Sequence, residues 1–281
     1  MKASINRTFQ MRLAAAASEM NIGFIKWHLS RISEECAPNS SWARESHKLY
    51  TWLCDTSKNA PFTIFAKGNS KLPFFSFSVL PIVTCPGAGA CATYCYSLKA
   101  WRYPSAFFRQ LQNTILVKTQ SMQLAQAFYA LPKNTDVRLY VDGDFDSVET
   151  VNYWFELIKN RPDLRVYGYS KSWNELLQYK GVYPANYKLN LSSGHAHTDA
   201  TKHRITQLPI TRGDFTALPV KQENIGKYKT KGYLEDLRTS AKSAGIDKFF
   251  ACPGKCGTCT KQGHACGSDK FSDVPILIGI H

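Results

Sequence analysis

The run T-C-P-G-A-G-A-C-A-T-Y-C-Y, Thr84–Tyr96, decides how this chain is read. It places Cys85, Cys91 and Cys95 within eleven residues, directly after the apolar run Phe74–Val83. Three thiols at the end of a strand can converge on one metal or cluster. Pro86, Gly87 and Gly89 let the backbone wrap tightly around it, because glycine adopts positive φ without steric cost. Three protein ligands leave one tetrahedral position open, and an open position is where metal chemistry takes place. The competing reading is three buried thiols, since free cysteine is a common core residue.

Downstream of this loop, Pro104 suits a first helical turn, and Phe107, Leu111, Ile115, Leu116, Met122, Leu124 and Phe128 follow at helical spacing up to Leu131-Pro132. Val137–Val141 reads as a second strand and ends in D-G-D-F-D; Ser147 then caps a helix striped by Val151, Trp154, Phe155 and Ile158. Arg165–Tyr169 is a third strand leading into S-K-S-W, and Tyr187–Leu191 a fourth leading into S-S-G-H-A-H. Arg204–Ile210 and Phe215–Val220 are expected as further strands, Tyr233–Ala244 as a helix and Lys248–Ala251 as a short edge strand. Upstream, Phe62–Ala66 also carries strand character, while residues 1–60 read as helices over Gln10–Cys36 and Trp42–Cys54, with Pro38–Ser41 as break and cap.

Alternating strands and helices imply a parallel sheet with right-handed crossovers. Ligands bind such sheets beyond the carboxyl ends of the strands. The cysteine loop, D-G-D-F, S-K-S and S-S-G-H all fall there, on one rim. The expectation is an α/β fold: an incomplete parallel β/α barrel over residues 61–247, preceded by a helical segment (1–60) and followed by a cysteine-rich metal-binding segment (248–281).

That last segment holds Cys252, Cys256, Cys259 and Cys266 within fifteen residues. Only fifteen residues follow Cys266, too few for a barrel built after it. A closed four-thiolate site therefore fits better, either a second iron–sulfur cluster or a structural zinc, with His264 able to replace one thiol. Cys36 and Cys54 stand alone and read as packing residues. The H-x-H of His195 and His197, with His203 nearby, is a weaker ligand candidate, because no carboxylate partner is placed by sequence.

The net charge is +14, and no Asp or Glu occurs from Thr56 to Thr135, where eight Lys and Arg residues lie. A positive field around a reactive centre attracts polyanions, nucleic acid above all. Lys99, Arg102 and Arg109 supply cations, with Trp101 and Tyr103 beside them for stacking on unpaired bases. A merely solvated basic surface is the alternative. No apolar run approaches bilayer length and no signal peptide is legible, so a cytoplasmic protein with reduced thiols and no membrane partner is expected.

The loop C-P-G-A-G-A-C-A-T-Y-C-Y, with Tyr94 before its last cysteine, resembles the radical SAM superfamily. Together with D-G-D-F and Y-S-K-S it is similar to the phage gene product 88 family. The resemblance implies a [4Fe–4S] cluster on Cys85, Cys91 and Cys95, with S-adenosylmethionine at its remaining iron. It also places Gly143 and Asp144 near the methionine amino group, and Lys171, Ser172 and Ser192 along the same rim. The implied protein is a phage- or plasmid-encoded iron–sulfur protein, acting on or binding nucleic acid in its bacterial host. A non-catalytic, zinc-stabilised nucleic-acid-binding accessory protein is the alternative.

Overall fold

The computed structural model describes residues 5–257, 259, 263–272 and 274–280. Among these, seven parallel strands form one sheet that curls into a half-barrel. β1 (Phe75–Ser76), β2 (Asp136–Leu139), β3 (Arg165–Ser170), β4 (Tyr187–Ser192) and β5 (Thr211–Leu218) lie side by side in chain order. Beyond β5 the order reverses: β7 (Ile276–Gly279) pairs with β5, and β6 (Phe250–Ala251) forms the edge.

The period-two alternation of side chains gives the sheet two different faces. Val137, Leu139, Val166, Leu189 and Leu191 pack into the main core with helices α4 (Pro104–Lys118) and α6 (Val148–Lys159). Ser147 caps α6 by accepting from Thr150 N at 3.2 Å, and its stripe of Val151, Trp154, Phe155 and Ile158 is fully buried. Truncating such a tryptophan to alanine costs about 3–5 kcal/mol. On the opposite, inner face, Tyr167, Tyr169 and Phe215 meet Cys252, Cys259, Cys266 and Phe271. The cysteine-rich segment connects β6 to β7, and its described residues Cys252, Cys259, Cys266 and Phe271 lie inside the curl. It steps back by one strand and crosses on the other face, a double reversal that preserves the hand of the connection.

Of the N-terminal helices α1 (Arg7–Ser18), α2 (Ile22–Glu35) and α3 (Ser41–Cys54), α1 and α3 pack against α4, and α2 packs on both of them. The expected single helix over Gln10–Cys36 breaks at Met20, whose φ of 56° no α-helix contains. The helix expected from Pro104 to Phe128 likewise breaks at Gln120 (φ 48°), giving α4 and α5 (Met122–Tyr129). Arg204–Ile210 is not a strand: Thr198 accepts from Thr201 N at 3.3 Å and starts helix α8 (Asp199–Thr206). Phe62–Ala66 contributes only the isolated bridge Ala66–Ser76. Helices α7 (Trp173–Gln178) and α9 (Lys231–Ser243) complete the described helices. Cys36 is buried as expected, whereas Cys54 is exposed. No helix among the described residues is long and apolar enough to cross a membrane.

Candidate functional site

The cysteine loop stands at the carboxyl end of the sheet and is tied to the loops after β3 and β4. Gly89 N and Cys91 N both donate to Gly194 O, at 3.0 and 3.1 Å, and Ala196 N donates to Gly87 O at 3.0 Å. Two short 3-10 turns, Ala90–Tyr94 and Tyr96–Arg102, carry the rest of it. Gly87 is required by contact, since a Cβ there would lie 1.6 Å from Lys171 O. Gly194 has φ +75°, and its Cβ would meet the Tyr94 hydroxyl at 2.7 Å.

Beneath Cys85 lies a buried polar knot. Asp144 accepts from Phe145 N (2.8 Å), Ser170 Oγ (2.7 Å) and Lys171 N (2.6 Å). Burial pushes the Asp144 carboxyl up from its usual range, against those hydrogen bonds and the Lys171 charge. Lys171 Nζ donates to Ser192 Oγ at 2.8 Å. Burial, and then the Asp144 charge, push the Cys85 thiol up to about 12, with Lys171 opposing. Cys85, Gly143, Asp144, Lys171 and Ser192 therefore share one rim, with the backbone of Gly143 held at φ +79°. Ser172 does not line it: the residue is fully buried, and its N–H is spent on Ser170 Oγ at 2.9 Å.

The histidines are committed elsewhere. His197 Nε2 lies 2.5 Å from Lys171 O, and because a carbonyl only accepts, Nε2 must carry the proton. His197 N donates to His195 Nδ1 at 3.1 Å, and both rings lean on Trp173. His203 sits exposed on α8. Asp146 is structural, pairing with Lys118 and accepting from Thr150 Oγ1 at 2.6 Å.

None of the nine cysteines is joined in a disulfide. Among the described residues, no three His, Cys, Asp or Glu side chains are gathered closely enough to hold a metal ion, so neither expected thiol cluster is assembled in this arrangement. The donor sets nevertheless have the chemistry for sulfur-ligated iron or zinc: cysteine thiols and no competing carboxylate ligand among the expected donors. Cys85 and Cys95 lie close enough for their charges to act on one another, as do Cys252, Cys256 and Cys259. Burial raises Cys252 to about 11 and Cys266 to about 12, and raises Cys256 as well. On each of the three, Arg138 acts in the opposite sense.

A family model described as gene product 88 matches residues 50–271. The chain belongs to the gene product 88 family. No curated protein and no solved structure matches it. The stretch that defines this family member contains both cysteine groups, and begins within α3.

The basic flank of the loop is only partly as expected. Lys99, Arg102 and Tyr103 are exposed, and the Arg102 guanidinium lies 4.9 Å from the centre of the Tyr103 ring. Trp101 is fully buried, donating to Gln110 Oε1 at 2.8 Å beneath Arg7, and so has no face for a base. Arg109 is half-buried and faces Asp142. The acid-free stretch of sequence is not acid-free in space, because Lys58 pairs with Asp55 and Lys118 with Asp146. Sequence reasoning missed Tyr96: its ring is 53% exposed, while its hydroxyl donates inward to Val141 O at 3.2 Å. It also missed Arg138, which a period-two reading of V-R-L would have turned to the inner face, and Asp142, which lies beyond the positive φ of Tyr140 where the alternation ends.

Proposed function

We propose that this gene product 88 family member is an iron–sulfur protein of radical SAM type that acts on or binds nucleic acid. The observation that carries the reading is the clamping of the three-thiol loop onto the carboxyl rim of a parallel half-barrel, directly above Asp144, Lys171 and Ser192. Cys85, Cys91 and Cys95 would hold a [4Fe–4S] cluster there. When bound, such a cluster with S-adenosylmethionine supplies one-electron chemistry. The residues of the chain itself have separate tasks. Asp144 holds Lys171 N and Ser170 in place, Lys171 presents a cation to an anionic group at the rim, and the exposed Tyr94, Tyr96 and Tyr103 offer ring faces next to Lys99 and Arg102. Cations fix phosphates while such rings stack on unpaired bases, each stack contributing about 1–3 kcal/mol.

Anaerobic purification followed by iron and acid-labile sulfide analysis tests the proposal. Iron and sulfide lost in the Cys85/Cys91/Cys95→Ala protein support it; zinc in place of iron at those residues removes the enzyme reading. What would then stand is a zinc-stabilised accessory protein binding nucleic acid, favoured by the packing of the C-terminal thiols into the inner face.

A further inference from the structure

We propose that the Arg138 guanidinium, with the Tyr167 hydroxyl beside it, is the built-in counter-charge of a metal–thiolate site formed by Cys252, Cys256, Cys259 and Cys266. The inference rests on the reading that this C-terminal group binds a metal. Four thiolates outweigh a divalent ion by two charges. Enclosing that surplus in apolar surroundings is expensive unless a cation or hydrogen-bond donors meet it.

The inner face supplies both. Arg138 and Tyr167 are register partners on β2 and β3, so their side chains stand side by side. Arg138 is held with its guanidinium 4.6 Å from the Tyr169 ring centre. Its Nε is buried with no hydrogen-bond partner, and so is the hydroxyl of Tyr167, a residue 1% exposed. Arginine cannot discharge to escape such a position. Two orphaned donors on one patch need an acceptor, and Tyr167 and Tyr169 belong to the same buried cluster as Cys252, Cys259 and Cys266.

The neighbouring charged groups are already engaged. Arg212 donates to the carbonyls of Ala265, Val274 and Phe271, which holds the segment in place. Lys188 pairs with Asp269 and Arg165 with Asp136. Asp142 also faces Arg138; its Oδ2 accepts from Gln110 at 2.9 Å, and burial pushes its carboxyl up from the usual range.

The test uses the full chain with Cys85, Cys91 and Cys95 replaced by alanine, so that one thiol group remains. Cobalt(II) reports binding through thiolate-to-cobalt absorption, and chelator competition gives the affinity. Arg138→Gln should weaken cobalt binding by about 10–100-fold, the usual effect of losing an outer partner. Arg138→Lys, which keeps the charge, should restore most of the loss. Equal affinities for the Arg138→Gln protein and its parent overturn the inference while leaving the metal site standing. A parent that binds no cobalt overturns both the metal reading and the inference. Should Arg138→Gln fail to fold by circular dichroism, Tyr167→Phe carries the test: weaker binding with a shifted cobalt spectrum supports the counter-charge, and an unchanged affinity and spectrum overturn it.

Discussion

Cys85, on the rim, has the Asp144 carboxylate below it, and burial together with that charge pushes its thiol up to about 12. Cys256, on the inner face, has burial opposed first by Arg138, with Tyr167 beside the guanidinium. The rim loop is anchored by backbone hydrogen bonds and carries exposed rings and cations. The inner group is packed among Phe74, Tyr167, Tyr169 and Phe271, inside the curl of the sheet. Two thiol groups, spaced C-x5-C-x3-C and C-x3-C-x2-C-x6-C, thus sit in different surroundings. A loop held by its backbone leaves side chains free for a ligand, whereas a packed segment turns metal affinity into folding energy.

The sharpest way to break this comparison is to delete each group in turn. Removing Cys85, Cys91 and Cys95 together should abolish one cluster's iron, with thermal melting nearly unchanged. Replacing Cys256 or Cys259 with alanine should instead lower the melting temperature markedly, and a chelator should lower it in the wild type but not in the variant. A Cys256→Ala protein that melts normally would erase the distinction between the groups.

Acid sharpens it next, through the contact that ties the inner segment to β2. Asp136 Oδ1 lies 3.3 Å from His264 Nε2, and Arg165 makes two further hydrogen bonds to the same carboxylate. Burial alone would raise this carboxyl, but His264 and Arg165 outweigh it and hold it at about 2. A carboxyl lowered on folding contributes stability above its unfolded value, and the contribution is lost as pH falls through the folded one. Urea titrations should therefore show up to about 2 kcal/mol disappearing between about pH 4 and pH 2, and Asp136→Asn should flatten that loss. An Asp136→Asn profile parallel to wild type would detach this pair from stability.

The smallest effect belongs to the rim's charge. If Lys99 and Arg102 neutralise phosphates, affinity for single-stranded DNA or RNA falls linearly with log salt. Replacing both should shrink the slope by about one unit per lost contact. Equal slopes would remove this flank from the rim's function. Trp101→Phe should leave nucleic-acid affinity unaltered, because that ring is buried.

The strands after the cysteine loop were legible because β2, β3 and β4 carry β-branched and aromatic residues bounded by polar, glycine-bearing loops. The short strand β7 was not. I-L-I-G is four residues long, and its place between β5 and β6 follows from partners distant in sequence. The C-terminal segment is therefore part of the sheet, and the short tail after Cys266 is long enough to supply a strand to it. Arg204–Ile210 misled because β-branched residues suggested a strand where a Thr198 cap begins a helix. Trp101 misled because composition places a tryptophan beside cations without saying which way it turns.

Local chemistry alone determined the parallel α/β plan and the rim on which the loops gather, since period and turn residues are written along the chain. Only tertiary structure decided that the second cysteine group lies inside the curl against Arg138, that Ser172 and Trp101 are sealed, and that Tyr96 is open. Those outcomes depend on which face of a strand or turn meets which other segment of the fold, and no local pattern encodes that meeting.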